Sequence, residues 1–222
     1  MIGHRGAAAV APENTRASLE AAVAAGVDAV EFDLQPGLLL AHSADATPDP
    51  IDLETALDVL GGTGVGIMLD LKLPGYEEET LAAVRRRGLL ERAVVSTTWR
   101  SSMHAVARIA PEVPRAIGYP RDRHGVSRLP WPSIAGRAAA AAGRRVVRGR
   151  FELLQRRTSP TALALHHTLC TRGVVARAHP LGMPVLAWTT NDPAAVLRAA
   201  ALGVDAVVSD DPAMALGTLN HP

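Results

Sequence analysis

Short apolar runs recur along this chain, separated by longer alanine-rich stretches whose apolar residues fall at helical spacing. The runs predict eight strands: Met1–His4, Val27–Asp33, Gly64–Lys72, Ala93–Thr97, Pro114–Tyr119, Ala162–His166, Pro184–Trp188 and Ala206–Ser209. Their alternation with helical stretches is the pattern of βα units closing on a parallel sheet. Helices are predicted over about Thr15–Ala25, Glu77–Arg87, Ser101–Ile109, Thr171–Pro180 and Pro193–Leu202. A further element is expected between Trp131 and Arg150, with ends the sequence does not mark. Asn14 or Thr15 is placed to cap the first helix, Gly26, Gly88 and Gly203 to stop helices, and Pro193 to occupy a first turn.

Eight such units in 222 residues predict an α/β fold, a (β/α)8 TIM-type barrel, as one domain over residues 1–222 rather than a doubly wound sheet. In such barrels chemistry collects at the C-terminal ends of the strands. Those ends are polar here: His4-Arg5, Glu31-Phe32-Asp33, Asp70-Leu71-Lys72, Trp188 followed by Asn191, and His42 shortly after the second strand. Most of these residues would be costly to place beside a packed barrel without partners.

Composition refines this picture. Hydrophobic residues make up 48% of the chain but aromatics only 3%, so the core must be built from small aliphatic layers. The net charge of +1 selects no partner, although arginines outnumber acids between Arg100 and Arg157. That stretch reads as solvated helix faces and loops, or as a contact for a phosphate-rich partner or, peripherally, an anionic membrane. No aromatic-interleaved basic motif accompanies it, so nucleic acid is not an expected partner. The single cysteine, Cys170, rules out an internal disulfide framework and reads as a small buried hydrophobe. No stretch of about 18 apolar residues occurs, and a cytoplasmic location is the expectation. Nothing in the sequence sets an oligomeric state.

Glu31 and Asp33 are two apart, so on a strand they share a face, and Asp70 on the next strand could add a third carboxylate. An oxygen-only set suits Mg²⁺ or Ca²⁺, with Mn²⁺ a further candidate, better than zinc. The same pair also fits a solvated strand end or ion-pair partners. Lys72 is the only lysine among 23 Lys and Arg residues, which suggests a compact charge against a phosphate oxygen, or else a surviving surface lysine. His4 and His42 would lie at one mouth, where two imidazoles can serve a phosphorus centre as acid and base. Singly, each could equally be a structural hydrogen-bonder. His166 and His167 read as core or loop hydrogen-bonders, or one of them as reaching the mouth; His104, His124 and His179 read as surface, and Asp210 and Asp211 as fixing the last loop.

Taken in order, His4-Arg5-Gly6, Pro12-Glu13-Asn14-Thr15, Glu31-Phe32-Asp33, Leu40-Ala41-His42, Asp70-Leu71-Lys72, Trp188-Thr189-Thr190-Asn191 and the run from Gly203 to Pro212 resemble the bacterial glycerophosphodiester phosphodiesterases. The resemblance spans nearly the whole chain. It implies hydrolysis of a small glycerophosphodiester to an alcohol and glycerol 3-phosphate with a divalent cation. It also implies His4 and His42 as the acid/base pair, Glu31, Asp33 and Asp70 as metal ligands with Glu13 nearby as a candidate to assist them, Arg5 and Lys72 on the phosphate, and Trp188 either walling the glycerol pocket or simply closing the barrel. The family commonly has Glu where Asp70 stands. The segment after His42 is shorter than the family's usual insertion, and Ser43 replaces the usual aspartate, with Asp45 close by. Two other readings are a phospholipase D-like phosphodiesterase acting on intact phospholipid, and a catalytically silent barrel that binds phosphorylated ligands. The second would need neither both histidines nor three convergent carboxylates.

Overall fold

Strand β1 (Ile2–Gly3) pairs in parallel with both β2 (Ala29–Gln35) and β9 (Ala206–Ser209), and this double pairing closes the sheet. The computed structural model describes residues 1–43, 50–120, 138, 140–147 and 157–221. From β2 the ring runs through β4 (Gly66–Leu71), β5 (Ala93–Thr97), β6 (Arg115–Tyr119), β7 (Ala162–His166) and β8 (Val185–Trp188) to β9, every pairing parallel. The expected eight-stranded α/β barrel is therefore the fold. A short β3 (Leu39–Leu40) turns back antiparallel on the end of β2 and was not expected from the sequence.

Helices α1 (Arg16–Ala24), α3 (Glu77–Arg86), α4 (Arg100–Ile109), α6 (Arg172–Ala178) and α7 (Pro193–Ala201) occupy the predicted gaps. Two more, α2 (Leu53–Gly61) and α8 (Pro212–Asn220), were missed. Each is 9 residues long, and each is started by an aspartate whose side chain caps the first turn, Asp52 to the Thr55 N–H and Asp211 to the Met214 N–H. Residues 138 and 140–147 are helical, and the latter run is α5; the rest of the Trp131–Arg150 element, His124, Asp45 and much of the arginine-rich stretch lie outside the described residues. The expected helix to Pro180 instead ends at Ala178 and tightens into a 3₁₀ turn over His179–Leu181, where the proline fits.

Successive strand residues point alternately into the barrel and out to the helices. Outward Val30, Phe32, Leu34, Ile67, Leu69 and Val95 pack with Leu19, Leu57, Leu60 and Leu81 of α1 to α3. A second cluster joins Leu163, Leu165, Val185 and Val207 to Val174 and Val175 of α6. Inside, Ile2, Met68, Ala116, Ala162, Ala164, Leu186 and Val208 fill the lower barrel with few large groups. Cys170 is buried, and burial pushes its thiol up to about 12, so it is an inert hydrophobe. Among the described residues no helix is long and apolar enough to cross a membrane.

Candidate active site

The inward series that is apolar at the bottom becomes charged at the C-terminal mouth. Register puts Glu31 opposite Met68 and Asp33 opposite Asp70, so Glu31, Asp33 and Asp70 follow the interior face upward. His4 leaves β1, Lys72 follows β4, and Asp210 follows β9 on the same rim.

The turn after β1 explains the His4-Arg5-Gly6 run. Arg5 lies at φ 50° and Gly6 at φ 83°, the left-handed region. This turn aims the Arg5 N–H at Glu31 Oε2 (2.8 Å) and the Gly6 N–H at the Glu31 carbonyl (3.0 Å). A Cβ on Gly6 would sit 2.4 Å from the Ser18 carbonyl carbon in the first turn of α1, so only glycine fits. Thr15, rather than Asn14, caps α1 in a reciprocal box with Ser18. Asn14 is fully buried at φ 59° and serves Asp33: its Nδ2–H donates to Asp33 Oδ2 (3.2 Å) and its Oδ1 accepts the Asp33 N–H (3.0 Å).

Glu31, Asp33 and Asp70 each offer an oxygen within 4.8 Å of the others. Lys72 donates to Asp70 Oδ2 at 2.5 Å and is ion-paired with Asp33 Oδ1, which makes no well-directed hydrogen bond. Arg5 Nε lies 2.9 Å from Asp33 Oδ2 as an ionic rather than directional contact, while Arg5 Nη1 donates to Glu13 at 2.5 Å. Glu13 thus steadies Arg5 and stands outside the carboxylate cluster. Burial and the neighbouring Asp33 push Glu31 up to about 7, with His4 and Lys72 only partly opposing. Burial also works against the charge on Asp33, yet Lys72, His42 and Arg5 hold it well below the usual carboxylate range. Lys72 is raised: burial opposes its charge, but Asp33, Asp70 and Glu31 outweigh that. Three carboxylates around the Lys72 ammonium and the Arg5 guanidinium leave surplus negative charge, and among the described residues no cation is ion-paired with Glu31. The oxygen-only set and this surplus fit a hard divalent cation.

The two histidines sit on either side of this cluster. His4 Nδ1 is 2.5 Å from Asp210 Oδ1. Burial disfavours its protonation, but the Asp210 bond and Glu31, against Arg5, raise its pKa above 6.5. His42 Nδ1 lies 2.8 Å from Arg5 Nη2 and 3.1 Å from Asp33 Oδ2. A guanidinium only donates and a carboxylate only accepts, so the two contacts favour opposite protonation of Nδ1. The Nδ1–H form on Asp33 is the one that leaves Nε2 able to take a proton.

Across the mouth, Trp188 ends β8 opposite His166 of β7, their rings edge-on with centroids 5.3 Å apart. His166 Nδ1 is 2.8 Å from Thr168 Oγ1. His104 is exposed on α4, and exposed His179 pairs with Asp205 at 2.9 Å. The sequence reading missed the tie of Asp210 to His4 and that of Asn14 to Asp33. Their signal was present as polar residues inside the ordered motifs, but their partners lie far away in sequence.

The model of the glycerophosphoryl diester phosphodiesterase family matches residues 4–36 and 60–214, leaving out the stretch that holds His42, β3 and most of α2. YhdW of Bacillus subtilis, provisionally named a glycerophosphodiester phosphodiesterase, is 25% identical over 96% of this chain and 94% of its own. A phosphodiesterase of Oleispira antarctica, solved with the product sn-glycerol-3-phosphate, superposes with TM-score 0.74 at 24% identity, covering 99% of this chain and 96% of that one. A glycerophosphodiester phosphodiesterase of Parabacteroides distasonis gives TM-score 0.74 at 18% identity, over 99% and 95% of the two chains.

Proposed function

This chain belongs to the glycerophosphoryl diester phosphodiesterase family, and from that premise we propose how its mouth hydrolyses a glycerophosphodiester. The products are an alcohol and sn-glycerol 3-phosphate, the compound bound by the Oleispira relative. Glu31, Asp33 and Asp70 would hold a divalent cation, Mg²⁺, Ca²⁺ or Mn²⁺, which when bound neutralises charge building on the phosphoryl oxygens. Lys72 and Arg5 stand beside those carboxylates and add two fixed positive charges for the phosphate. His4, held through Nδ1 by Asp210 and favoured in its protonated form, gives a proton to the leaving alkoxide. His42, with Nδ1–H on Asp33, takes a proton from the attacking oxygen. That oxygen belongs either to the substrate's glycerol 2-hydroxyl or to water; both routes use the same residues, and a cyclic phosphate seen by ³¹P NMR marks the first. Trp188, at the end of β8, would wall the glycerol pocket.

The observation that supports this reading is the convergence of three carboxylates with both histidines at one barrel mouth. Protein stripped of metal and assayed with glycerophosphocholine and related diesters, with each of the three cations added back, tests it. Release of glycerol 3-phosphate should depend on the cation and fall at least about hundredfold in His4→Ala and His42→Ala. Full activity in either variant, or in chelator, sinks the assignment.

A lipid substrate is a second reading with its own observation. The exposed apolar side chains Val10, Leu39 and Leu73 follow β1, β2 and β4 on the mouth side. Cleavage of phospholipid vesicles but not of soluble diesters would favour it.

A further inference from the structure

The last loop carries a carboxylate that belongs to neither the candidate metal cluster nor the phosphate contacts. Asp210 follows β9, which pairs with β1, and the His4 N–H donates to the Ser209 carbonyl at 2.9 Å. The backbone thus fixes the imidazole and this carboxylate together, with His4 Nδ1 2.5 Å from Asp210 Oδ1. Asn191, from the loop after β8, clamps Asp210 from both sides. Its Nδ2–H donates to Asp210 Oδ2, and its Oδ1 accepts the Asp210 N–H at 2.9 Å. The same Oδ1 takes a bond from Ser209 Oγ at 3.3 Å. Both oxygens of Asp210 are therefore occupied, one by Asn191 and one by His4.

We propose that Asp210 is a positioning residue that holds His4 with Nδ1 as donor and so makes Nε2 the nitrogen that exchanges the catalytic proton. An ionised carboxylate can only accept, so the neutral ring paired with it carries its hydrogen on Nδ1. The charged groups around His4 are Asp210 beyond β9, Glu31 on β2 and Arg5 in its own loop. Arg5 opposes the imidazolium and Glu31 favours it, but Glu31 is also a candidate metal ligand and would share its charge with a bound cation. Asp210 has no such second duty. Its own ionisation is reinforced in return: burial raises its pKa, but the His4 and Asn191 bonds bring it below the ordinary value. Asn191 acts one step further out, by keeping Asp210 from rotating away.

The inference rests on the role given to His4 above, and its test separates the two. Rate against pH is measured on the cation-loaded enzyme for the native chain, Asp210→Asn, Asn191→Ala and His4→Ala. Loss of the negative charge should move the basic limb of kcat/KM down by about one pH unit or more. At pH 8 kcat should fall about 10- to 100-fold with KM little changed, and Asn191→Ala should shift the limb less. If His4→Ala is inactive while Asp210→Asn keeps the native limb, Asp210 has no such role and the reading of His4 stands. If His4→Ala is fully active, both fall. Nitrogen-15 NMR of the native protein gives a readout that needs no variant to fold. His4 should titrate above 6.5 and show the Nδ1–H tautomer when neutral, whereas an Nε2–H tautomer overturns the proposal.

Discussion

Asn14 holds Asp33 through two hydrogen bonds of opposite sense, donating to its carboxylate at 3.2 Å and accepting its backbone N–H at 3.0 Å. The residue sits in the left-handed region at φ 59°, which asparagine tolerates better than most residues, and it is fully buried. Asn14→Ala leaves the Asp33 N–H without its acceptor, so unfolding free energy should drop by about 1–3 kcal/mol. Divalent-cation affinity, read by calorimetry, should weaken about 10- to 100-fold, because the candidate ligand Asp33 loses its orientation. Unchanged affinity in a folded variant would separate Asp33 from the metal.

Cation binding should stabilise the fold more at pH 8 than at pH 5. Glu31 has a folded pKa of about 7 against an ordinary 4.5. A group raised in this way favours the metal-free fold below about pH 4.5, and that contribution is lost as pH rises through about 7. Ionised Glu31 is then a burden that a cation relieves, and the cation no longer competes with a proton. His4, raised from 6.5, adds a loss in the same direction over a higher window. Asp33 runs oppositely, stabilising above the ordinary 3.8 and losing that contribution only as pH falls through its depressed value. Thermal melts with and without Mg²⁺ at the two pH values measure this, and equal shifts would count against Glu31 as a ligand.

Glu31→Gln removes the burdened charge while keeping an acceptor for the Arg5 N–H. Metal-free Tm at pH 8 should rise by a few degrees, on the order of 1 kcal/mol. The response to Mg²⁺ should vanish, and kcat/KM should fall about hundredfold or more. A variant that is less stable at pH 8 and still responds to the cation would refute the account of the cluster's charge.

Asp70 reaches the cluster with one methylene fewer than a glutamate at the same place would have. Asp70→Glu should keep activity within about tenfold while changing the order of preference among Mg²⁺, Ca²⁺ and Mn²⁺. Asp70→Asn should lose most cation affinity. Equal affinities for the native chain and Asp70→Asn would remove this residue from the ligand set.

Gly6→Ala tests the turn that presents His4 and Arg5. An added Cβ meets the Ser18 backbone at 2.4 Å with φ at 83°, so stability should fall by about 2 kcal/mol or more in chemical denaturation. A neutral result would mean that the first turn of α1 yields more readily than its capping box implies.

The alternation of apolar runs with helical stretches was enough to read the barrel, because each βα unit carries its own period and its own stop signals. Glu31, Asp33 and Asp70 were legible for the same reason: a period of two puts alternate strand residues on one face whatever the rest of the chain does. Helices α2 and α8 escaped notice although each is 9 residues long, as α1 and α7 are, so length alone did not decide which helices were legible. The exchange of Asn14 from helix cap to partner of Asp33 depended on where β2 lies relative to the loop after β1. The reach of His4 to Asp210 spans 206 residues of sequence and exists because β1 pairs with β9. The sequence by itself determined the eight units, the strand-end carboxylates and the ordered motifs. Closure of the barrel decided which polar group stands against which, since local pattern records the face a side chain takes but not the neighbour that ring closure brings to it.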